Sequence, residues 1–271
     1  MAQRIYKSPD KSLVSAELNM CIFVINLEKD TARRVFMETQ LQSLGLTYEF
    51  ISATNGYNLS DTEVQKIYDP KAAFAIHGHH LSRTQIACAD SHRRVYELIK
   101  ERKLSWALVL EDDVILDRRI LTVLNQEFID TSNAEWLQID YLPFDISFLK
   151  GWWRATKVRI GRQPLFSFYA LLKFPILVCW GLYEYARERW AQNYTPTTAL
   201  FPRPLYLASA YIITATGVEK ILPLCTPIRY AADQVQNRAR IQSGLCLRGI
   251  IPLLTKQDRT QFASNLLYDN Q

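Results

Sequence analysis

Between Trp106 and Leu116 an apolar run, Trp106-Ala107-Leu108-Val109-Leu110, ends in Glu111-Asp112-Asp113 and resumes as Val114-Ile115-Leu116. Three adjacent carboxylates beside a core are costly unless a cation neutralises them. Oxygen ligands of this kind suit Mg²⁺ or Mn²⁺ shared with a phosphate-bearing ligand. The same residues also fit a solvated turn between two strands, so the cluster suggests metal–phosphate chemistry without requiring it. A second cluster, His77-Gly78-His79-His80, is spaced too tightly to place four separate ligands on one ion and reads as a flexible loop.

Elements with the right periodicity surround the acids. Met20 to Asn26 and Tyr48 to Ser52 read as buried strands, the second closed by the turn signal Asn55-Gly56. Asp30 or Thr31 can cap a helix carrying Met37, Leu41 and Leu44 on one face, with Gly45 as its stop. Cys88, His92, Val95 and Ile99 fall at helical spacing over 85–101, and strand 106–110 follows, lifting the acids to the carboxyl edge of a sheet. Ala210 to Thr214 reads as a returning strand, Gly217 to Leu224 as a short helix, and Ile228 to Gln242 as a further helical stretch. This alternation predicts an α/β fold with a mostly parallel central sheet in a single domain over residues 1–271. With neither GxGxxG nor GxxxxGK[ST] in the sequence, a dinucleotide fold and a P-loop lose support.

Charge is unevenly spread over the 271 residues. The net charge is +5, yet residues 145–205 hold nine basic residues against three acidic ones. This segment also has the densest aromatic content, and its residues 165–183 are mostly apolar, interrupted by Lys173 and Pro175. It is read as a basic, aromatic helical insertion that meets an anionic membrane surface peripherally. Core helices with a basic face and a true span are the alternatives. The aliphatic runs are too greasy for a phosphate-tracking groove, so nucleic acid is not an expected partner. Five scattered cysteines without CxxC spacing, and an amino terminus without an apolar signal core, lead us to expect a cytoplasmic protein.

Six segments in order carry a family resemblance: Phe23-Val-Ile-Asn-Leu27, with Arg33 or Arg34 following; Ile51-Ser-Ala-Thr-Asn-Gly56; Leu81 to His92; Leu108 to Leu116; Ala210 to Gly217; and Pro227 to Gln234. Together they resemble the lipopolysaccharide and lipooligosaccharide glycosyltransferases of glycosyltransferase family 25, whose relatives include collagen-modifying galactosyltransferases. The family usually shows Gly-Glu where Thr84-Gln85 stand, and Leu where Asp90 stands.

The resemblance implies a GT-A type fold, a nucleotide-sugar donor (UDP-galactose or UDP-glucose), Mn²⁺ or Mg²⁺, and inversion at the anomeric carbon. It implies a bacterial lipooligosaccharide acceptor and a location on the cytoplasmic face of the inner membrane. Glu111, Asp112 and Asp113 become expected metal ligands, with Asp112 alternatively on a ribose hydroxyl. Asp233 is the candidate general base, and its neighbour Gln234 is expected among the donor-binding residues. Ser91 and His92 are expected near the diphosphate or acceptor, although His92 also fits a hydrogen-bonded core histidine. Asn26, Leu27, Ser52 and Asn55 are expected around a uracil and ribose, and Arg33 or Arg34 near the diphosphate. A late third metal ligand would be Asp258 or Asn265. A metal-dependent phosphoesterase and a catalytically silent membrane scaffold of the same fold are the rival readings.

Overall fold

The computed structural model describes residues 20–141, 179, 181–258 and 261–262. Alternate side chains of a strand leave opposite faces, and here that alternation divides the core in two. From strand β3 (Trp106–Glu111), Trp106, Leu108 and Leu110 join Ile22 and Val24 on one face. Ala107 and Val109 join Phe23 and Ile25 on the other. Helix α1 (Thr31–Ser43) covers the first face with Met37 and Leu41. Helix α4 (Arg83–Glu101) covers the second with Val95, Tyr96 and Ile99.

The central sheet contains β1 (Met20–Asn26), β2 (Glu49–Ser52), β3, β5 (Trp136–Gln138), β6 (Thr197–Ala199), β7 (Ala210–Thr214) and β8 (Leu247–Ile251), in the order β2-β1-β3-β7-β5-β8-β6. Pairs β2–β1, β1–β3 and β5–β8 are parallel, whereas β3–β7, β7–β5 and β8–β6 are antiparallel. The sheet is therefore mixed, which corrects the mostly parallel expectation. The run Ala210–Ile213 is buried on both faces, and such a run reads the same in either direction.

The acids lie at the end of β3, where Glu111 pairs with Ile25 and the parallel ladder with β1 ends. Val114–Leu116 forms β4, which pairs antiparallel with β9 (Thr255–Gln257). The Asp258 amide donates to the Asp113 carbonyl at 2.7 Å. The turn is accordingly buried: Asp112 and Asp113 are 6% and 8% exposed.

Two short helices that periodicity did not reveal, α2 (Asp61–Ile67) and α3 (Pro70–His77), lead into α4. Helix α4 begins with a reciprocal capping box between Ser82 and Gln85. Gly56 lies against this start, and a Cβ there would come within 2.7 Å of the Thr84 Cα. Past α5 (Gln126–Ser132) and α6 (Ala215–Ile221), the expected 228–242 helix is shorter: only α7 (Val235–Gln242) is helical, so Asp233 sits in the turn before it. Asp30 takes the cap position of α1 without a side-chain capping bond.

Most of the 145–205 insertion lies outside the described residues. Its described part is helical across 181–191 and continues into edge strand β6. Among the described residues, no helix is long and apolar enough to cross a membrane.

Candidate functional site

A cleft of about 330 Å³ opens at the carboxyl ends of β1 and β3. Its wall brings together Leu27, Arg33, Asn55, Ser91, His92, Glu111, Asp112, Asp113 and Asp233, which the sequence scatters over two hundred positions.

Asp112 is held from two sides. Asn26, the last residue of β1, donates from Nδ2 to Oδ2 at 2.7 Å, and Arg33 of α1 donates from Nη1 to Oδ1 at 2.8 Å. The same guanidinium nitrogen reaches Asp113 Oδ2 at 3.4 Å. Burial raises the Asp112 carboxyl above its ordinary range, opposed by the hydrogen bonds from Arg33 and Asn26. Burial works against the Arg33 cation, but Asp112, Asp113 and Asp30 together outweigh it and Arg33 titrates higher than usual. Both Asp112 oxygens are thus committed to protein donors. Arg34 instead lies over the Phe50 ring and pairs with Glu38, so Arg33 is the arginine at the cleft.

Glu111 faces another way. Its Oε2 accepts from Gln257 Nε2 at 3.3 Å, while Oε1 lies 3.4 Å from His92 Nε2 and 3.9 Å from Cys88 Sγ. His92 is 1% exposed, and its Nδ1 meets the Tyr211 hydroxyl at 2.8 Å. Burial, and then Glu111, push the Cys88 thiol well above its usual range.

Ser91 Oγ donates to the Ala87 carbonyl and accepts from the Thr54 amide at 2.9 Å, fastening the Thr54–Gly56 turn to α4. Asn55 Oδ1 caps the following turn through the Tyr57 amide. Three expected residues do not line the cleft: Asn26 is linked to it through Asp112, Ser52 is exposed and donates to Glu28, and Gln234 occupies the cap position of α7. Asp233 lines the cleft together with Ala231 and Ala232. Burial raises its carboxyl, and Glu111 adds to the effect while His77 and His92 oppose it. Asp258 contributes its backbone amide to the Asp113 turn. Asn265 lies outside the described residues.

The cleft also contains residues that motif reading did not single out: Lys29, Thr54, Tyr57, Cys88 and Gln257. Lys29 Nζ lies 5.6 Å from the centre of the exposed Tyr57 ring. Tyr57 directly follows the Asn55-Gly56 turn, which was the available signal; Gln257 comes from a late strand that nothing in the local pattern links to Glu111.

Among the described residues lining the cleft, four carboxylates (Glu111, Asp112, Asp113, Asp233) face two permanent cations, Lys29 and Arg33. That imbalance and the hard oxygen donors fit a divalent cation, since Mg²⁺-type ions commonly take one or two carboxylates plus phosphate oxygens.

Comparison with known proteins agrees with the motif order. Residues 19–236 match the model of glycosyltransferase family 25, described as an LPS biosynthesis protein family. Procollagen galactosyltransferase 1-A of Xenopus laevis is 30% identical over 122 residues, covering 42% of this chain and 20% of the relative. A glycosyltransferase 25 family member of Anopheles gambiae is 35% identical over 99 residues, 34% of this chain and 16% of that protein. Putative glycosyltransferase R655 of Acanthamoeba polyphaga mimivirus is 40% identical over 100 residues, 35% and 29% of the two chains. The matched region spans about a fifth of the length of the Xenopus relative. With the family model covering most of its length, including every element that lines the cleft except β9, this chain belongs to glycosyltransferase family 25.

Proposed function

We propose that this protein is an inverting hexosyltransferase that moves galactose or glucose from its UDP-sugar to a lipooligosaccharide acceptor. The observation that carries the reading is one cleft lined by Arg33, Asp112, Asp113 and Asp233, in which Asn26 and Arg33 hold Asp112. The family's description supports a lipopolysaccharide-type acceptor, and the name of the Xenopus relative favours galactose.

Asp113 would hold Mn²⁺ or Mg²⁺, and the bound ion would neutralise charge on the leaving diphosphate; Glu111, turned toward Cys88 and His92, is not counted among its ligands. Asp112 orients Arg33, whose planar, permanently charged guanidinium suits a diphosphate. Tyr57 and Lys29 at the mouth suit a stacked base and a phosphate or ribose oxygen. Asp233 takes the acceptor hydroxyl proton; its raised carboxyl brings it nearer the working pH, which favours a general base. His92 and Ser91 keep α4 and the Thr54 turn in register with Glu111. The exposed Leu182, Tyr183, Tyr185 and Trp190, among Arg187 and Arg189, support a peripheral hold on the cytoplasmic leaflet, where a lipid-borne acceptor would be built.

The test is UDP release from a panel of UDP-sugars with Mn²⁺, with and without lipooligosaccharide, comparing wild type with Asp113→Ala. Acceptor-stimulated release from one donor, lost in the variant, supports the reading. No release from any donor by a folded protein, together with no thermal shift on adding UDP and Mn²⁺, would overturn it in favour of a silent scaffold.

A further inference from the structure

The Glu111 side chain leads to a second, chemically different site. Cys88 and His92 are four residues apart on α4, so both project from one helix face toward the end of β3. Among the described residues, Cys88, His92 and Glu111 are the one set of three whose ligand atoms all lie within 4.8 Å of one another. Bond lengths of roughly 2.0–2.3 Å at tetrahedral angles put the ligand atoms of a Zn²⁺ site about 3.3–3.6 Å apart. Here His92 Nε2 is 3.4 Å from Glu111 Oε1, and Cys88 Sγ is 3.9 Å from the same oxygen.

The surrounding hydrogen bonds are compatible with a metal-ligating histidine. Tyr211 donates its hydroxyl proton to the Tyr96 oxygen at 3.2 Å, which leaves its oxygen able to accept from His92 Nδ1, 2.8 Å away, in the tautomer protonated there. A neutral imidazole with its proton on Nδ1 has its Nε2 lone pair free. In that state the lone pair faces a carboxylate oxygen 3.4 Å away, and a metal ion between the two satisfies both, as a second imidazole proton otherwise would. Glu111 is steadied by Gln257 at its other oxygen, 3.3 Å away. A histidine fixed through its far nitrogen and a hydrogen-bonded carboxylate are the outer supports that metal ligands usually have.

We propose that Cys88, His92 and Glu111 bind Zn²⁺ or a similarly thiophilic divalent cation, with the fourth position open to the cleft that all three line. A sulfur–nitrogen–oxygen set selects a softer ion than the carboxylate and phosphate oxygens around Asp113. On binding, the Cys88 thiol gives its proton to solvent and its sulfur takes the metal as thiolate. Neither donor nor acceptor is needed, so the site stands or falls independently of the transferase reading.

Co²⁺ added to the full chain is the direct probe. The expected result is the strong visible absorption of four-coordinate Co²⁺ with a near-ultraviolet thiolate-to-cobalt band, saturating at one equivalent and abolished by Zn²⁺. Cys88→Ser should lose the thiolate band while keeping the wild-type circular dichroism spectrum. X-ray absorption at the zinc edge of the wild-type protein needs no variant, and should give one sulfur at about 2.3 Å with the remaining ligands nitrogen or oxygen. Only the weak spectrum of hydrated Co²⁺, or a zinc shell without sulfur, would overturn the proposal and leave His92–Glu111 as an ion pair of a protonated imidazole. A thiolate band that survives in Cys88→Ser would equally overturn it, by assigning the metal to another cysteine.

Discussion

Replacing Arg33 by Met isolates the charge balance on which the cleft depends. Arg33 Nη1 spans both Asp112, at 2.8 Å, and Asp113, at 3.4 Å, and the Arg33 and Asp112 side chains are 10% and 9% exposed. Methionine preserves much of the aliphatic stem and removes the charge. Breaking a buried pair on one side costs roughly 3–5 kcal/mol, because the remaining ion is stranded. Here the Asn26 bond to Asp112 survives, so the lower end, about 3 kcal/mol, is expected. For a chain near this size that corresponds to roughly 6–12 °C in melting temperature. Urea unfolding followed by tryptophan fluorescence reads the loss directly. Adding Asp112→Asn should recover about 2 kcal/mol, because the double variant no longer buries that carboxylate without its cation. The deficit also carries a pH signature. Asp112 already titrates above its ordinary value, burial being the main cause, and removing Arg33 raises it further. A raised native carboxyl binds more protons folded than unfolded, so the variant's deficit is full above that raised value and shrinks as pH falls through it. A loss under about 1 kcal/mol, or effects that simply add in the double variant, would refute the desolvated-pair argument.

Other outcomes follow from the same structure. Asp233→Asn should lower transfer by about 10²–10⁴-fold while UDP affinity measured by calorimetry stays near wild type, as removal of a general base requires; an unchanged rate would eliminate Asp233 from that role. Asp140 is fully enclosed at the end of β5, accepting from the Ser209 amide and hydroxyl, and burial raises its carboxyl to about 7. The folded state therefore holds this proton where the unfolded chain has released it, and stability should fall by on the order of 1.4 kcal/mol per pH unit from about pH 4 to 7. Asp140→Asn should flatten that slope in pH-dependent denaturant titrations. Gly56→Ala should destabilise by about 1–3 kcal/mol, because its Cβ meets the backbone of Arg83 and Thr84; a neutral effect in thermal unfolding would mean that the turn and α4 separate easily.

The sequence by itself determined the parts that depend on local pattern. The buried strands 20–26 and 106–110, the amphipathic helix through Val95 and Ile99, and the three acids at a strand end are written in side-chain periodicity, and the ordered motifs named the family. Direction and convergence were not legible. Ala210–Ile213 is apolar on both faces whichever way it runs, so only its neighbours β3 and β5 make it antiparallel. The side chains of Glu111 and Asp112 point to different partners, Cys88 and His92 for one, Asn26 and Arg33 for the other, although they are adjacent in the chain. Successive residues at a strand end face opposite ways, and the hydrogen-bonding groups waiting on each side come from α4, 19 and 23 positions away, and from β1 and α1, 86 and 79 positions away. That pairing is fixed by the packing of α1 and α4 on opposite faces of the sheet, which no stretch of sequence around the acids encodes.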